Sequence, residues 1–127
     1  MNAIAIDNLE VSYGQSRVLH GVRFNVMQGE SFALVGESGS GKTTVGKTIL
    51  RLLDPTSGRI AFAGADITHL SRQAMRPFRR RMQLVFQDPF ASLNPRQTVR
   101  QILSLPLQVH EPGLGGAERR ERIGAIL

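Results

Sequence analysis

One octapeptide constrains this chain more than any other feature: Gly36-Glu37-Ser38-Gly39-Ser40-Gly41-Lys42-Thr43, a complete G-x-x-x-x-G-K-[ST] pattern. Its flanks suit it. Before it lies the continuous apolar run Ser31-Phe32-Ala33-Leu34-Val35, which reads as a strand buried on both faces of a parallel sheet. After it the period turns helical, with Val45, Ile49, Leu52 and Leu53 near one face, and Asp54-Pro55-Thr56-Ser57-Gly58 is expected to stop that helix. The residue types follow from the chemistry of holding phosphate. Gly36, Gly39 and Gly41 let successive amides curl inward without Cβ clashes, and with Ser38 and Ser40 they form a concave anion nest. The positive end of the following helix adds to that field. Lys42 is placed to reach the β and γ phosphates, Thr43 to offer its hydroxyl to Mg²⁺, and Thr44 to bond the α-phosphate. A dinucleotide-binding glycine pattern fails on spacing, because its third glycine would fall on Thr44.

Composition narrows the remaining classes. The 127 residues allow one domain at most, and 41% hydrophobic with 20% charged residues is ordinary globular usage, which argues against disorder. With no cysteine there is no disulfide, thiolate metal site or cysteine nucleophile, as suits a reducing compartment. No apolar run approaches the roughly 18 residues that span a bilayer, and the start Met1-Asn2-Ala3-Ile4-Ala5-Ile6-Asp7 is not a secretory signal. A net charge of +6 carried by 14 Arg and 2 Lys raises nucleic acid or anionic lipid as partners, although charge alone is weak support for either.

The remaining pattern gives a coarse element order. Ala3 to Val11 reads as an edge strand, Val18 to Met27 as a second strand pair around His20-Gly21, and Arg59 to Phe62 as a short strand before a turn at Gly64. Ser71 to Arg76 reads as a short helix ending near Pro77, Leu84-Val85-Phe86 as another buried strand, and Asp88 to Arg96 as a loop. Thr98-Val99-Arg100-Gln101 fits a capping box, opening a helix that Pro106 should kink or end. Pro112 to Gly116 reads as a loop. Ala117 to Leu127 reads as a charged helix with Glu118 and Arg122 paired at i, i+4 and an apolar side of Ile123, Ile126 and Leu127.

Three further segments refine the nucleotide reading: Tyr13 in Val11-Ser12-Tyr13-Gly14, the separator Asp54-Pro55-Thr56-Ser57-Gly58, and Leu84-Val85-Phe86-Gln87-Asp88-Pro89. Together with the phosphate loop they resemble the ATP-binding subunits of ABC transporters. The stretch from Val85 to Arg96 is similar to the oligopeptide/dipeptide/nickel importer subfamily. The resemblance implies an α/β fold: the P-loop NTPase core of an ABC ATP-binding domain, with an N-terminal antiparallel β subdomain and the start of a helical subdomain. Residues 1–127 would be the N-terminal portion of that domain, with the phosphate loop at 36–44, a lid loop around 87–95 and the helical subdomain from about 98, its C-terminal part missing. By position, Tyr13 would stack on adenine. Gln87 would be the lid-loop glutamine, ligating Mg²⁺ through its amide oxygen and serving catalysis beside Lys42.

The resemblance implies ATP and Mg²⁺ as cofactors. It implies as partners a second ATP-binding subunit, transmembrane permease subunits and, indirectly, a periplasmic or extracellular solute-binding protein, at the cytoplasmic face of the inner membrane. Nucleic acid is not expected. The function implied is ATP binding by the motor subunit of an importer of peptides or a related small solute, with hydrolysis coupled to transport in the full-length dimer.

Other residues have plainer readings. Arg79-Arg80-Arg81, with Arg72 and Arg76, is read first as a solvated face, then as a contact for acidic, lipid or nucleic-acid groups. His20, His69 and His110 lack metal-ligand spacing. Asp88 is not a Walker B aspartate, because Gln87 intervenes and Pro89 stands where the family's catalytic glutamate would be. Leu114-Gly115-Gly116-Ala117-Glu118 only faintly echoes the family's signature motif. With no apolar strand ending in Asp-Glu, the 127 residues alone are expected to be marginally stable, to bind ATP weakly and not to hydrolyse it. A thermal-shift titration with Mg-ATP measures this. The alternatives are a nucleic-acid-associated P-loop ATPase, which salt-dependent retention on DNA would reveal, and an inactive fragment.

Overall fold

The computed structural model describes the backbone of residues 1–127 and every side chain except those of Pro89 and Ala91. The chain divides into two compact units, Met1–Gln83 and Leu84–Leu127.

The first unit is built on a four-stranded antiparallel sheet in the order β2-β1-β3-β4, from β1 (Asn2–Tyr13), β2 (Ser16–Met27), β3 (Ser57–Phe62) and β4 (Ala65–Asp66). β1 is therefore an interior strand, not the edge its loose alternation suggested. Nor is the stretch around His20-Gly21 a strand pair: β2 runs through it as one strand. The pairing shifts there because an extra residue on each strand is absorbed in turn, between Ile6 and Leu9 on β1 and then opposite Val11 on β2. Asn8 and Gly21 take positive φ at these irregularities, and a Cβ on Gly21 would lie 2.9 Å from Asn8 Oδ1.

Ala63 and Gly64, both at positive φ, form the two-residue turn between β3 and β4 whose twist suits a hairpin. The strand Arg59–Phe62 is found as expected, starting two residues earlier at Ser57. At the β4 end, the Thr68 hydroxyl and amide both donate to Asp66, at 2.6 and 2.9 Å, which with Arg59 at 2.8 Å holds its carboxyl below the usual carboxylate range.

One face of the sheet buries Ile6, Leu9, Val11, Leu19 and Ile60 against Val45, Ile67, Met75 and Met82. Val45 comes from α1 (Lys42–Ile49), which packs on β2. The helix stops well before Asp54. Leu50 is its C-cap, and Arg51 turns the chain in the left-handed conformation with φ 54°. A non-glycine residue holds that conformation because its guanidinium is clamped: Nε donates to Ile67 O at 3.0 Å and a terminal nitrogen to Asp54 at 2.6 Å. The side chain is only 8% exposed. Leu52 and Leu53 thus fall outside the helix they were expected to extend, and Leu52 faces solvent.

The expected helix at Ser71–Arg76 is instead a run of turns, and the helix found is α2 (Arg76–Arg79), which Pro77 opens; a first-turn proline lacks only a donor that the helix would leave unpaired. Two strand expectations fail. Ser31–Val35 and Leu84–Phe86 are irregular and exposed, with Val35 at 93% and Val85 at 91%. A buried parallel strand exists only where neighbours supply ladders on both sides. Among the described residues neither run has one, so apolar composition alone does not extend them into a sheet.

The second unit holds α3 (Pro89–Ser92), α4 (Val99–His110) and α5 (Gly116–Ile126). α3 is one turn inside the expected loop, seeded by Asp88, whose side chain accepts from the Phe90 amide at 2.9 Å. The capping box at Thr98 is present in both directions: Gln101 N donates to Thr98 Oγ1 at 3.3 Å, and Thr98 N donates to Gln101 Oε1 at 2.8 Å. Thr98→Ala is expected to cost α4 about 1 kcal/mol. Amide hydrogen exchange at Gln101 and Ile102 checks this as a several-fold loss of protection. Of the two outcomes expected at Pro106, a kink or an end, the end is not found: α4 runs through it to His110. Arg122 pairs with Glu118 at 3.4 Å as expected, and with Glu111 at 2.7 Å, clipping α5 to the end of α4. Ile123 is buried, but Ile126 and Leu127 are exposed.

Candidate functional site: the phosphate loop

The loop before α1 closes on the Lys42 ammonium. Its Nζ donates to Gly36 O at 2.6 Å, Glu37 O at 2.5 Å and Ser40 Oγ at 3.1 Å, so one cation draws in both arms of the loop. Ser40 N donates to Glu37 O at 3.2 Å and forms the turn at the loop's tip. Gly39 and Gly41 sit at φ +80° and +94°, and Gly41 is the N-cap of α1. A Cβ on Gly36 would stand 2.7 Å from Ser40 Oγ, so the closure over Lys42 needs a bare backbone at that point. The loop exists although the run before it is no strand. What holds it is the lysine's hydrogen bonds and the start of a helix.

Thr43 is exposed and Thr44 half-buried in the first turn of α1; Thr44 O accepts from Thr48 Oγ1 at 2.7 Å. No acidic residue occupies that turn, so the helix's positive end is uncompensated there. The donor set fits a polyphosphate: loop amides, the Lys42 ammonium and an exposed hydroxyl at position 43 for a hydrated divalent ion. Among the described residues no cluster of three or more His, Cys, Asp or Glu could hold a metal by protein ligands alone.

Tyr13 ends β1, half exposed, next to the tight turn at Gly14, and belongs to the same unit as the loop. Gln87 belongs to the second unit, exposed in the irregular segment before α3. The structure thus gathers Gly36, Ser38, Gly39, Ser40, Gly41, Lys42, Thr43 and Thr44 in one loop and helix start. One supporting residue escaped the sequence reading. A Cβ on Gly41 would lie 2.8 Å from Leu19 Cδ2, so β2 forms the wall under the loop's last glycine. Leu19 carried no local signal beyond its place in a strand, since the contact spans 22 positions of sequence.

Comparison with known proteins agrees with this geometry. Residues 19–127 match the family described as ABC transporter. A provisionally named peptide import ATP-binding protein of Brucella ovis is 54% identical over 107 residues, which cover 84% of this chain and 33% of that protein. The oligopeptide transport ATP-binding protein AppF of Bacillus subtilis is 45% identical over 115 residues, covering 90% of this chain and 35% of the relative. The chain thus spans about a third of the length of these curated relatives. Among solved structures, CbiO1 of Clostridium perfringens, part of the ABC transporter complex CbiONQ, aligns with a TM-score of 0.78 at 30% identity. That alignment covers 95% of this chain and 47% of the other. An ATP-binding cassette captured as a dimer in a post-hydrolysis state with ADP and Pi aligns with a TM-score of 0.74 at 28% identity, over 94% of this chain and 53% of that one. No described helix is long and apolar enough to cross a membrane.

Proposed function

The chain belongs to the ABC transporter family, and from that premise we propose that it supplies the nucleotide-holding part of an ATP-binding subunit that drives import of peptides or a related small solute. The single observation that carries the reading is the Lys42 ammonium ringed by Gly36 O, Glu37 O and Ser40 Oγ at the head of α1. An arriving polyphosphate competes for that ammonium with two carbonyls and a hydroxyl. The exchange is favourable because the new partner carries full negative charge. Loop amides and the helix start would take the remaining phosphate oxygens, Thr43 would offer its hydroxyl to the accompanying Mg²⁺, and Thr44 would bond the α-phosphate. ATP supplies a phosphoanhydride whose cleavage is the energy source; this chain's own residues bind and orient it.

Tyr13 provides a flat face for adenine, and Gln87 is the group that would touch Mg²⁺ and water from the lid segment. No strand ending in Asp-Glu occurs in these 127 residues, so turnover needs a general base from outside them. The partners proposed are a second ATP-binding subunit, permease subunits and, through them, a solute-binding protein, with the subunit peripheral to the cytoplasmic face of the inner membrane. The peptide reading draws support from the relatives' names. A test separates base stacking from phosphate capture. Tyr13→Ala is expected to weaken Mg-ATP binding about tenfold while leaving inorganic triphosphate binding unchanged, and Tyr13→Phe to keep most of the affinity. Calorimetric titration with both ligands measures it, and equal losses for the two ligands would remove Tyr13 from the adenine site.

A further inference from the structure

The separator Asp54-Pro55-Thr56-Ser57-Gly58 is docked along β1 residue by residue. Asp54 is tied to Arg51 at 2.6 Å, at the turn that ends α1. Pro55 is buried, and its ring fixes the backbone between that ion pair and β3. Ser57 opens β3 opposite Glu10, and Gly58 lies against the main chain of Asn8 and Leu9. Thr56 makes two hydrogen bonds to β1. Its amide donates to Glu10 O at 2.8 Å, and its Oγ1 accepts from Ser12 N at 2.9 Å.

The second of these bonds falls where β1 runs past the end of its neighbour. Alternate residues of an antiparallel strand direct their backbone groups to the same side, and Glu10 and Ser12 both direct theirs toward the β3 side. Glu10 is the last residue of β1 paired with β3. Two residues further on, the Thr56 hydroxyl oxygen stands in for a strand carbonyl. The next residue is Tyr13, half exposed, which ends β1 and pairs across the hairpin with Ser16. The ladder to β2 is itself irregular just before it, since the register shifts between Val11 and Ser12. Thr56 therefore braces, from the β3 side, the strand end that carries the ring. Residues 50–55 join that brace directly to the helix that Lys42 begins.

We propose that Thr56 is a positioning residue for the nucleoside: by holding Ser12 N it fixes the Tyr13 ring relative to the helix that carries the phosphate loop. This rests on the reading of Tyr13 as the face for adenine. Thr56 touches no ligand and acts through the backbone of Ser12. A ring that has to be ordered on binding lowers affinity by the entropy of that ordering, so a braced strand end favours the base and leaves phosphate capture unaltered.

Thr56→Val removes the acceptor while keeping the side chain's outline and the amide bond to Glu10. Thr56 is exposed, so water can take the Ser12 amide and the fold is expected to stand, with an unchanged circular dichroism spectrum. Tyr13 is the chain's only tyrosine and there is no tryptophan, so intrinsic fluorescence reports on that ring alone. Without ligand, Thr56→Val is expected to show lower tyrosine anisotropy and several-fold faster amide exchange at Ser12, and Thr56→Ser to behave as the parent. Calorimetric titration is expected to show Mg-ATP binding weakened about threefold, within the range of one hydrogen bond, and inorganic triphosphate binding unchanged. In a Tyr13→Ala background Thr56→Val is expected to cost nothing further. Unchanged anisotropy, equal losses for the two ligands, or a loss that persists in the Tyr13→Ala background overturns the positioning role. The two readings fail separately. Equal losses for both ligands in Tyr13→Ala alone overturn the adenine reading and this proposal with it, whereas a base-specific loss in Tyr13→Ala without one in Thr56→Val overturns this proposal only.

Discussion

Lys42→Ala is expected to lower triphosphate affinity by at least about a hundredfold, the equivalent of about 2.7 kcal/mol. The side chain has two roles in the structure. It ties Gly36 O, Glu37 O and Ser40 Oγ into one closed loop, and it supplies the one formal positive charge within the 36–44 segment. A charge-assisted hydrogen bond contributes about 1.5–3 kcal/mol, and in the proposed binding mode bonds to both the β and γ phosphates would be lost at once. Removing the ammonium also releases the loop's two arms, so its amides must be ordered by the ligand itself. Equilibrium binding of a fluorescent ATP analogue, checked against unlabelled Mg-ATP, reads the effect. Lys42→Arg is expected to recover little, because a planar fork does not fit between two carbonyls set for a tetrahedral ammonium. Affinity within threefold of the parent for Lys42→Ala would end the phosphate-loop reading of this segment.

Gly58→Ala is expected to be the most destabilising single methyl that the chain can gain, at about 3 kcal/mol or more. Gly58 sits at φ +93°, where an L side chain already costs about 1–2 kcal/mol. A Cβ there would meet the backbone of β1, 2.6 Å from Asn8 C and 2.7 Å from Leu9 Cα, besides the Asn8 carbonyl oxygen. Nothing flexible lies in its path. Relief requires β3 to move off β1, and that pairing carries Ile60 and Leu9, both fully buried. Urea denaturation followed by circular dichroism measures the loss. With a slope of about 1–3 kcal/mol per molar, the midpoint is expected to fall by about 1 M or more. Gly64→Ala, also at positive φ but with nothing within 4 Å of its Cβ, is the control, and is expected to lose only the conformational part.

What could be foreseen from the sequence divides by the range of the interactions involved. The closure of Gly36 to Thr43, the capping box of Thr98 and Gln101, and the Glu118–Arg122 pair each involve residues within eight positions, so residue identity and spacing specify them. The two strand misreadings have the opposite origin. Whether Ser31–Val35 or Leu84–Phe86 extends depends on ladder partners that local composition does not encode. The end of α1 was missed for a related reason. Arg51 takes a glycine's conformation only because Ile67 O and Leu70 O, at least 16 residues away, anchor its guanidinium. Pro77 was read as a stop and Pro106 as a kink or a stop, yet one opens a helix and the other lies inside one. The family resemblance, by contrast, was legible, because it rests on several local motifs at once.

The leucine tip beneath Gly41 sets the phosphate loop apart from the tightest glycine contact of the sheet. Gly58 abuts rigid main chain, whereas Gly41 abuts a terminal methyl that can rotate aside. A side chain added at position 41 therefore meets first a group that can turn away, whereas one added at position 58 meets the sheet itself.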